Sequence, residues 1–404
     1  MGRGATESSR RSVTTFKPGT DWSGCRSVVS LHAHTHHSRE VMSDLPPYIA
    51  RIPFVAAFFQ RELDAYQQDK GHAIDFSKGW WHPPVTPRTV FESEVEQIER
   101  RFGLASMVSI TDHDNINAGL DLQELYAKRR APISFEWTVP HGAGFFHLGV
   151  HNLPPESAGV WFTRLMALTM GRDGAESRQE LMAALNECRD TLLIFNHPMW
   201  DLAGVGEDEH TRLLARFMTE HGSALHALEL NGYRSKWENE GTRRLAHETV
   251  HPVISGGDRH ACAPNAIVNV TSAQSFSEFA DEVRHGVSHV VFMPEYQESL
   301  VVRKLASAYD ILRDYPTYPA GRRRWTDRVS CDWQGAVRPL SYHWPDGGPL
   351  WVRSSVNAFR AITNPLFRPV LQAAIQTVEG RGPVDRTTAV SEPVRPIVGL
   401  SETN

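Results

Sequence analysis

The chain has 404 residues with a formal net charge of −5, and 41% of its residues are hydrophobic. This length allows one large domain or two ordinary ones, and the charge gives no electrostatic reason to expect extended nucleic acid as a partner. No run of ~18 apolar residues occurs, so we expect no membrane segment. Four widely spaced cysteines without a CxxC pair predict reduced thiols and a cytoplasmic protein.

The predicted elements follow a flexible leader over residues 1–24. Short apolar runs predict strands at Val28–Leu31, Met107–Thr111, Ile133–Glu136, Phe145–Val150, Leu192–Asn196, Ala227–Leu230, Val253–Ser255 and Val290–Met293. Helical periodicity predicts helices at Arg88–Phe102, Gly119–Arg129, Ser177–Arg189 and His210–His221. Strands that alternate with helices predict a parallel α/β fold. About seven or eight such units over residues 25–300 favour a barrel, whose ligands gather at the C-terminal ends of the strands.

Two segments depart from this alternation. Residues 41–85 combine an amphipathic helix with a loop at Gly79–Pro84 and follow the first histidine motif directly. We therefore expect an inserted lid beside the site, or a helical decoration packed on the barrel. Residues 301–379 are predicted to form a C-terminal helical extension with a kink at Asn364-Pro365. Residues 380–404 are predicted to be a disordered tail.

Seven short segments place metal-binding side chains where strands are expected to end. They read LHAH at 31–34, TDHD at 111–114, SFE at 134–136, FHLG at 146–149, NHP at 196–198, ELN at 229–231 and GDRH at 257–260. His32 and His34 share one strand face about 6.6 Å apart, so both imidazoles can reach one ion. Asp258 and His260 repeat this spacing. One such pair is weak evidence in a chain with 20 histidines, but the whole set predicts a metal cluster.

The TDHD and SFE motifs supply the next candidates. His113 is the candidate ligand of its motif, while Asp112 and Asp114 can orient imidazoles or cap the following helix. Glu136 ends a predicted strand, where its two carboxylate oxygens can bind two cations separately. A plain surface position at the end of the strand is the alternative interpretation of this residue.

The FHLG and NHP motifs add two more histidines. His147 is the preferred ligand on its strand, and His151 on the same face is the alternative. His197 precedes Pro198, which is expected to restrict the backbone to an extended conformation. Asn196 is expected to hydrogen-bond a neighbouring ligand.

In this order the motifs resemble the polymerase and histidinol phosphatase (PHP) superfamily, through HxH, TDHD, a strand-end Glu, HLG, NHP and GxDxH. The resemblance covers residues 27–295. It implies a distorted (β/α)7 barrel of PHP type that hydrolyses phosphate esters with two or three divalent metal ions. It further implies three ligand sets: His32, His34, Glu136 and Asp258 for one ion; Glu136, His147 and His197 for a second; His113 and His260 for a third.

The chain departs from the family pattern directly after its HxHT motif. Members often carry an Asp there, within Ser-Asp-Gly, whereas this chain has Arg39 at that position. Some relatives place a histidine one residue later, where this chain has Glu40. We therefore assign Glu40 as the remaining ligand of the third ion, with His36 or His37 as the alternatives.

Mixed nitrogen and oxygen donors predict zinc, manganese or iron rather than magnesium. We expect a metal-bound hydroxide, held by Glu136 and Asp258, to attack phosphorus in line. Candidate phosphate contacts are Arg39, Arg234 and Arg259, although alternation of strand faces would turn Arg259 away. The charge and the lack of a basic, aromatic surface favour a small phosphorylated metabolite or nucleotide as substrate. The sequence makes no prediction of oligomeric state.

Two other functions stay open. Amidohydrolases that cleave C–N or ester bonds also use binuclear barrels, but they usually supply a metal-bridging lysine, and no lysine lies at a motif strand end here. A degenerate, non-catalytic metal-binding module is the other alternative. The nearly complete set of expected ligands stands against it.

Overall fold

A computed structural model describes residues 11–42, 53–71, 73–126, 131–171, 177–318, 321–333, 335–369 and 372. The strands are β1 (Arg11–Thr15), β2 (Ser27–Leu31), β3 (Glu40–Val41), β4 (Gly79–Trp81), β5 (Ala105–Ser109), β6 (Ile133–His141), β7 (Gly144–Leu153), β8 (Leu192–Phe195), β9 (Ala227–Asn231), β10 (Val253–Gly256), β11 (Ile267–Thr271), β12 (Ser288–Phe292), β13 (Val329–Trp333) and β14 (Ala336–Pro339).

The helices are α1 (Pro53–Lys70), α2 (Pro87–Phe102), α3 (Asn117–Leu125), α4 (Ala158–Thr169), α5 (Arg178–Glu187), α6 (Glu207–His221), α7 (Lys236–Glu248), α8 (Phe276–Arg284), α9 (Leu300–Leu312), α10 (Trp325–Arg328), α11 (Leu340–His343) and α12 (Leu350–Ile362). None of the helices in the described ranges is long and apolar enough to cross a membrane.

Local capping signals explain where several helices begin and end. Thr86 caps α2 by accepting a hydrogen bond from the Thr89 amide, Pro87 occupies the first turn, and Gly103 ends the helix with φ of +65°. Ser177 and Ser235 each form a capping box, at α5 and α7. Because these signals are local, the helix predicted at Arg88–Phe102 differs from α2 by a single residue.

The strands form two mixed five-stranded sheets and one smaller sheet. The large sheets have the orders β1-β12-β11-β2-β5 and β10-β9-β8-β7-β6. The pairs β2-β5, β8-β9 and β9-β10 are parallel, whereas β6-β7, β7-β8 and β11-β2 are antiparallel. The α/β class agrees with the prediction, but purely parallel alternation is wrong. Gly142, with φ of +58°, turns β6 directly into β7 as an antiparallel hairpin.

The two large sheets meet at two short seams beside the histidine motifs. At one seam the Glu136 amide donates to the Asp112 carbonyl at 3.1 Å, and at the other the Gly257 amide donates to the Leu31 carbonyl at 2.8 Å. The first bond joins the loop after β5 to β6, the second joins the last residue of β2 to the residue after β10, and the strands themselves belong to separate sheets. The closed seven-stranded barrel therefore stays a prediction. The seams nevertheless bring the motif segments of both sheets to one place.

The smaller sheet, which we call the cap sheet, has the order β14-β13-β4-β3. It joins the insertion to the C-terminal extension, because Trp81 of β4 pairs with both Glu40 of β3 and Val329 of β13. The prediction of a loop at Gly79–Pro84 is thus wrong for the first three residues, which form β4. The extension is also not purely helical, since it contains β13 and β14.

The leader prediction is wrong for residues 11–24. Val13 of β1 pairs in parallel with Val290 of β12, and the Phe16 ring packs against Phe102 with centroids 5.2 Å apart. Residues 1–10, residues 43–52 of the insertion and the predicted tail at 380–404 lie outside the described residues. The predicted kink at Asn364-Pro365 falls just after α12, which ends at Ile362.

Candidate metal centre

The nine predicted metal ligands converge on one cluster at the seams between the large sheets. They are His32, His34, Glu40, His113, Glu136, His147, His197, Asp258 and His260. His113 and His260 are half-buried, and the other seven are buried. Three overlapping groups within this set place their donor atoms within 4.8 Å of one another. Side chains from distant motifs thus form one cluster of nitrogen and oxygen donors.

Glu136 lies at the middle of the cluster, with each carboxylate oxygen facing a different group of imidazoles. Its Oε1 is 3.2 Å from His147 Nδ1 and 3.0 Å from His197 Nε2. Its Oε2 is 3.1 Å from both His32 Nε2 and His113 Nδ1. The carboxylate is fully buried. Glu136 was predicted to lie at a strand end, but it lies in the middle of β6. This arrangement allows one side chain to serve two neighbouring cations.

The first predicted ligand set brings three donors close together, with Asp258 beside them. His32 Nε2 lies 3.1 Å from both His34 Nε2 and Glu136 Oε2. Asp258 Oδ1 lies 3.7 Å from His32 Nε2 and 3.5 Å from His34 Nε2, which is itself 3.5 Å from Glu136 Oε2. Donors that share one tetrahedral ion at ~2.1 Å are about 3.4 Å apart. His32, His34 and Glu136 therefore fit one divalent transition-metal ion, and Asp258 lies close to both histidines.

Glu40 takes the position assigned to it in the third set. Its Oε2 is 3.3 Å from His113 Nε2 and 3.2 Å from His260 Nε2, and its Oε1 accepts a hydrogen bond from Ser38 Oγ at 2.6 Å. The His34 and His260 rings stack with centroids 4.1 Å apart, so this group adjoins the first set.

The two alternatives to Glu40 point elsewhere. His36 Nδ1 lies 2.9 Å from the Tyr318 hydroxyl, and His37 Nε2 lies 2.9 Å from Asp121 Oδ2. Neither imidazole belongs to the groups of possible ligands in the described residues. The choice of Glu40 over both histidines therefore agrees with the geometry.

The charges of the centre also fit cation binding. Burial raises the pKa values of Glu40, Glu136 and Asp258, but nearby imidazoles outweigh it and hold all three pKa values well below the usual range. Burial and neighbouring imidazoles lower the pKa of His34 to about 3, which keeps it in the neutral form that binds metals. Burial lowers the pKa values of His32, His113 and His260, but the neighbouring carboxylates outweigh it and raise all three, that of His113 to about 10. Protons on these imidazoles thus balance the carboxylates, and a bound cation would have to replace them.

Glu229 is a functional residue that the site prediction missed, although its ELN motif was among the seven. Its Oε2 lies 2.6 Å from His32 Nδ1, and this contact turns the His32 Nε2 atom toward Glu136. A Cβ at Gly256 would stand 2.0 Å from this same carboxylate oxygen. The close approach of Glu229 to the backbone thus requires glycine at position 256.

The predicted supporting residues behave differently from one another. Asn196 Nδ2 donates to Glu136 Oε1 at 3.0 Å, so the expected hydrogen bond to a ligand is present. Asp112 contacts no imidazole: its Oδ2 accepts from Thr35 Oγ1 at 2.7 Å and holds the loop after His34. Asp114 was expected to orient an imidazole or cap a helix, but its Oδ1 accepts from the Thr138 amide of β6 at 2.9 Å.

Backbone strain is concentrated at three of the candidate ligands. His32, His197 and Asp258 have φ values of +62°, +29° and +51°. L-residues rarely adopt this region, and each instance costs about 1–3 kcal/mol. The extended conformation predicted for His197 before proline is therefore wrong. Strain of this kind persists where surrounding contacts hold the backbone, and it often accompanies functional sites.

Two of the three predicted phosphate contacts lie away from the donors. Arg259 Nη1 pairs with the buried Glu94 carboxylate at 2.6 Å, so its predicted role at the site is wrong. Its neighbours Asp258 and His260 face the cluster, and alternation turns the residue between them to the opposite side. Arg39 is exposed, with its guanidinium 5.3 Å from the centroid of the Trp80 ring, and no contact joins it to the donors of the described cluster.

Arg234 is the predicted phosphate contact that reaches the centre. Its Nη2 lies 3.8 Å from Asp258 Oδ2, and its guanidinium carbon lies 3.2 Å from the centroid of the Trp200 ring. The side chain is buried, and its Nε has no hydrogen-bond partner among the described residues. A rigid cation with a free donor therefore stands next to the first ligand set.

A further histidine pair lies outside this cluster. His141 and His221 stand with Glu220 in a group of possible ligands. Arg178 Nη1, however, lies 3.1 Å from His141 Nδ1 and 3.4 Å from His221 Nε2. A guanidinium at hydrogen-bonding distance from both nitrogens disfavours a second cation there.

The β7 histidines provide a matched test of the cluster. We expect His147→Gln to weaken metal binding more than about tenfold, because its Nδ1 faces the Glu136 carboxylate. His151→Gln should leave metal binding unchanged, because His151 Nδ1 lies 2.8 Å from Ser109 Oγ outside the cluster. Metal titration of both purified variants checks this. Equal losses in the two would contradict the assignment of His147 over His151.

No family model and no curated protein sequence matches the chain. The similar solved structures include a two-domain protein from Bacteroides vulgatus that contains a predicted PHP-like metal-dependent phosphoesterase, with 13% identity, a TM-score of 0.38, and coverage of 70% of this chain and 68% of that one. A putative metal-dependent phosphoesterase from Bifidobacterium adolescentis has 17% identity, a TM-score of 0.33, and coverage of 50% and 91%. An amidohydrolase from Chromobacterium violaceum, with bound sulfate and no metal, has 14% identity, a TM-score of 0.30, and coverage of 56% and 92%.

Two of these three structures are described as metal-dependent phosphoesterases. Identities and TM-scores this low assign no activity to the chain. The function proposed below is therefore argued from the donor geometry of the chain itself.

Proposed function

We propose that the chain is a metal-dependent phosphoesterase that hydrolyses a phosphate ester of a small phosphorylated metabolite or nucleotide. The observation that carries this proposal is the fully buried Glu136 carboxylate, whose two oxygens face separate imidazole groups at 3.0–3.2 Å. Such a bridge between nitrogen-rich donor groups suits two or three divalent ions of zinc, manganese or iron. When bound, ions of this kind acidify a water molecule and polarise a phosphoryl oxygen.

The residues of the chain fix the donors before any substrate arrives. Glu229 sets the ring orientation of His32, and Asn196 holds one oxygen of Glu136. Both contacts are buried, so solvent does not compete for them. Preorganised donors of this kind reduce the reorganisation that a reaction otherwise requires.

Arg234 is the residue that we assign to the substrate anion. Stacking on Trp200 restricts its guanidinium, and the ion pair with Asp258 places it beside the first ligand set. A planar guanidinium with free donors suits the geometry of a phosphoryl group. Asp258 then has two roles, because Oδ1 faces His32 and His34 while Oδ2 faces Arg234.

Replacing Arg234 tests this assignment. Arg234→Ala is expected to lower kcat/KM for an aryl phosphate by about 10²–10³-fold, because a fixed cation beside the phosphoryl oxygens is lost. The metal content should stay at the wild-type value, and Arg234→Lys should restore part of the activity because the charge remains. Arg243→Ala, which changes an exposed arginine of α7, is the matched control. A wild-type kcat/KM in Arg234→Ala would remove this residue from the proposed site.

The function itself is tested by loading the purified protein with zinc, manganese or iron and offering an aryl phosphate, an aryl carboxylic ester and an anilide. Hydrolysis of the phosphate supports the proposal. Hydrolysis of the ester or anilide alone favours the amidohydrolase alternative, and bound metal without turnover favours a binding module. The buried residues of the described chain include no lysine that could bridge two ions, and Glu136 stands in the bridging position instead. This observation favours the phosphoesterase over the amidohydrolase.

A further inference from the structure

Glu40 differs from the other predicted ligands in how the fold holds it. The other eight lie on strands of the two large sheets or within four residues of their ends, whereas Glu40 lies on β3, a two-residue strand of the cap sheet. So short a strand is not stable by itself. The position of the Glu40 carboxylate between His113 and His260 must therefore depend on whatever holds the loop between His34 and Val41.

One side of this loop is held by the C-terminal extension. The Arg322 Nη1 atom donates to the His36 carbonyl at 2.7 Å, and the Tyr318 hydroxyl lies 2.9 Å from His36 Nδ1. Both contacts join residues nearly three hundred positions apart: Arg322 is 286 residues from His36, and Tyr318 is 282 residues from it. They fix the loop two residues after His34.

The other side is held through the cap sheet. Glu40 pairs with Trp81 of β4, and Trp81 pairs in turn with Val329 of β13. The adjoining His82 donates its amide to the Arg328 carbonyl at 2.8 Å, and its Nδ1 lies 2.7 Å from the Ser38 carbonyl. The extension thus reaches the loop a second time, at Ser38 and Glu40.

Arg328 connects these two attachments to each other. Its guanidinium is fully buried and donates to the carbonyls of Arg322 at 2.9 Å and Arg323 at 3.0 Å, and to that of Ile311 at the end of α9 at 2.8 Å. A buried cation with this many backbone acceptors is costly to disturb. It fixes the Arg322 segment to the strand that begins at Val329.

We propose that residues 315–318 and 321–333 of the C-terminal extension are a positioning element of the metal centre, which holds the loop from His36 to Glu40 so that Glu40 completes the third donor group. This inference rests on the proposed function insofar as the donors bind metal. Arg322 and Tyr318 act through the loop and touch no donor of the cluster. Loss of either contact should therefore weaken one ion and spare the others.

The test compares Arg322→Ala with Glu40→Ala, using metal-free protein loaded with cobalt(II). We expect Arg322→Ala to weaken the same ion that Glu40→Ala removes, by about 10–100-fold, with the same loss in the visible cobalt spectrum. Arg322→Lys should restore binding, because an ammonium can still donate to the His36 carbonyl. Arg338→Ala, an exposed arginine of β14, is the matched control and should bind as wild type. Unchanged affinity in Arg322→Ala, or equal weakening of all ions, overturns the proposal.

Two further measurements keep the outcome decisive. Tyr318→Phe removes a single hydroxyl and should weaken the same ion by a smaller factor, even if Arg322→Ala folds poorly. Hydrogen exchange of metal-free protein should show faster exchange at residues 35–41 in Arg322→Ala and not in Arg338→Ala. This readout needs no metal. A wild type that binds no cobalt would therefore defeat the proposed function, while equal exchange rates would defeat the positioning role.

Discussion

The Glu136→Gln substitution is expected to lower kcat/KM for a phosphate ester by at least about 10²–10³-fold, the cost of losing one preorganised electrostatic group. The amide keeps the size of the side chain but replaces one carboxylate oxygen by an NH2 group and removes the charge. It no longer presents a charged carboxylate oxygen to both imidazole groups, His147 and His197 on one side and His32 and His113 on the other. Steady-state kinetics and metal content of the purified variant check this.

The control for this experiment is the same substitution at another fully buried glutamate, Glu94. Glu94→Gln should retain the wild-type number of ions, because Glu94 contacts Arg259, Ser30 and Asn265 and no predicted ligand. If Glu136→Gln kept both its ions and its turnover, the bridging role would be refuted, and the proposed function would lose its main support.

Glu94→Gln is instead expected to lower the free energy of unfolding by about 3–5 kcal/mol, the usual cost of breaking a buried ion pair from one side. The Arg259 guanidinium would stay buried with the Ser93 hydroxyl and the Ala261 carbonyl as its remaining partners. Urea denaturation, followed by circular dichroism, measures the change. Activity should fall only in proportion to the fraction of unfolded protein.

A double substitution sharpens this second prediction. Replacing both Glu94 and Arg259 by apolar residues of similar volume should destabilise the fold less than Glu94→Gln alone, because no unpaired charge remains. A large loss of activity in folded Glu94→Gln protein, with metal content unchanged, would contradict the structural role. It would return Arg259 to the candidate substrate contacts.

Much of the candidate centre could be predicted because its donors occur in short motifs at or just after strands. His32 with His34, and Asp258 with His260, are two residues apart, so the expected strand geometry predicted each pair on one face, although all four residues follow their strands and His32 and Asp258 have positive φ values. The order of these motifs resembles one family, and the resemblance placed Glu40 in the third group over His36 and His37. The geometry agrees, although nothing local to Glu40 predicts its partners His113 and His260.

Other features could not be predicted because they depend on which strands pair and in which direction. Apolar runs located β6 and β7 but underestimated both lengths, so Glu136 and His147 were expected at strand ends rather than within a hairpin. The residues of β1 were predicted to belong to the flexible leader, and pairing with β12 makes them a strand. Trp80 and Trp81 were predicted to lie in a loop, although both belong to β4 and pair within the cap sheet.

By itself the sequence determined the donor chemistry of the centre, the α/β class and the helix limits set by capping residues. Each of these depends on residues that are close to one another in the chain. Only the tertiary structure decided that Arg259 pairs with Glu94, that Glu229 orients His32, and that the C-terminal extension holds the loop carrying Glu40. These outcomes come from contacts between segments far apart in sequence. Their energies depend on burial and on the pairing of whole sheets, and neither leaves a periodic signal in any one segment.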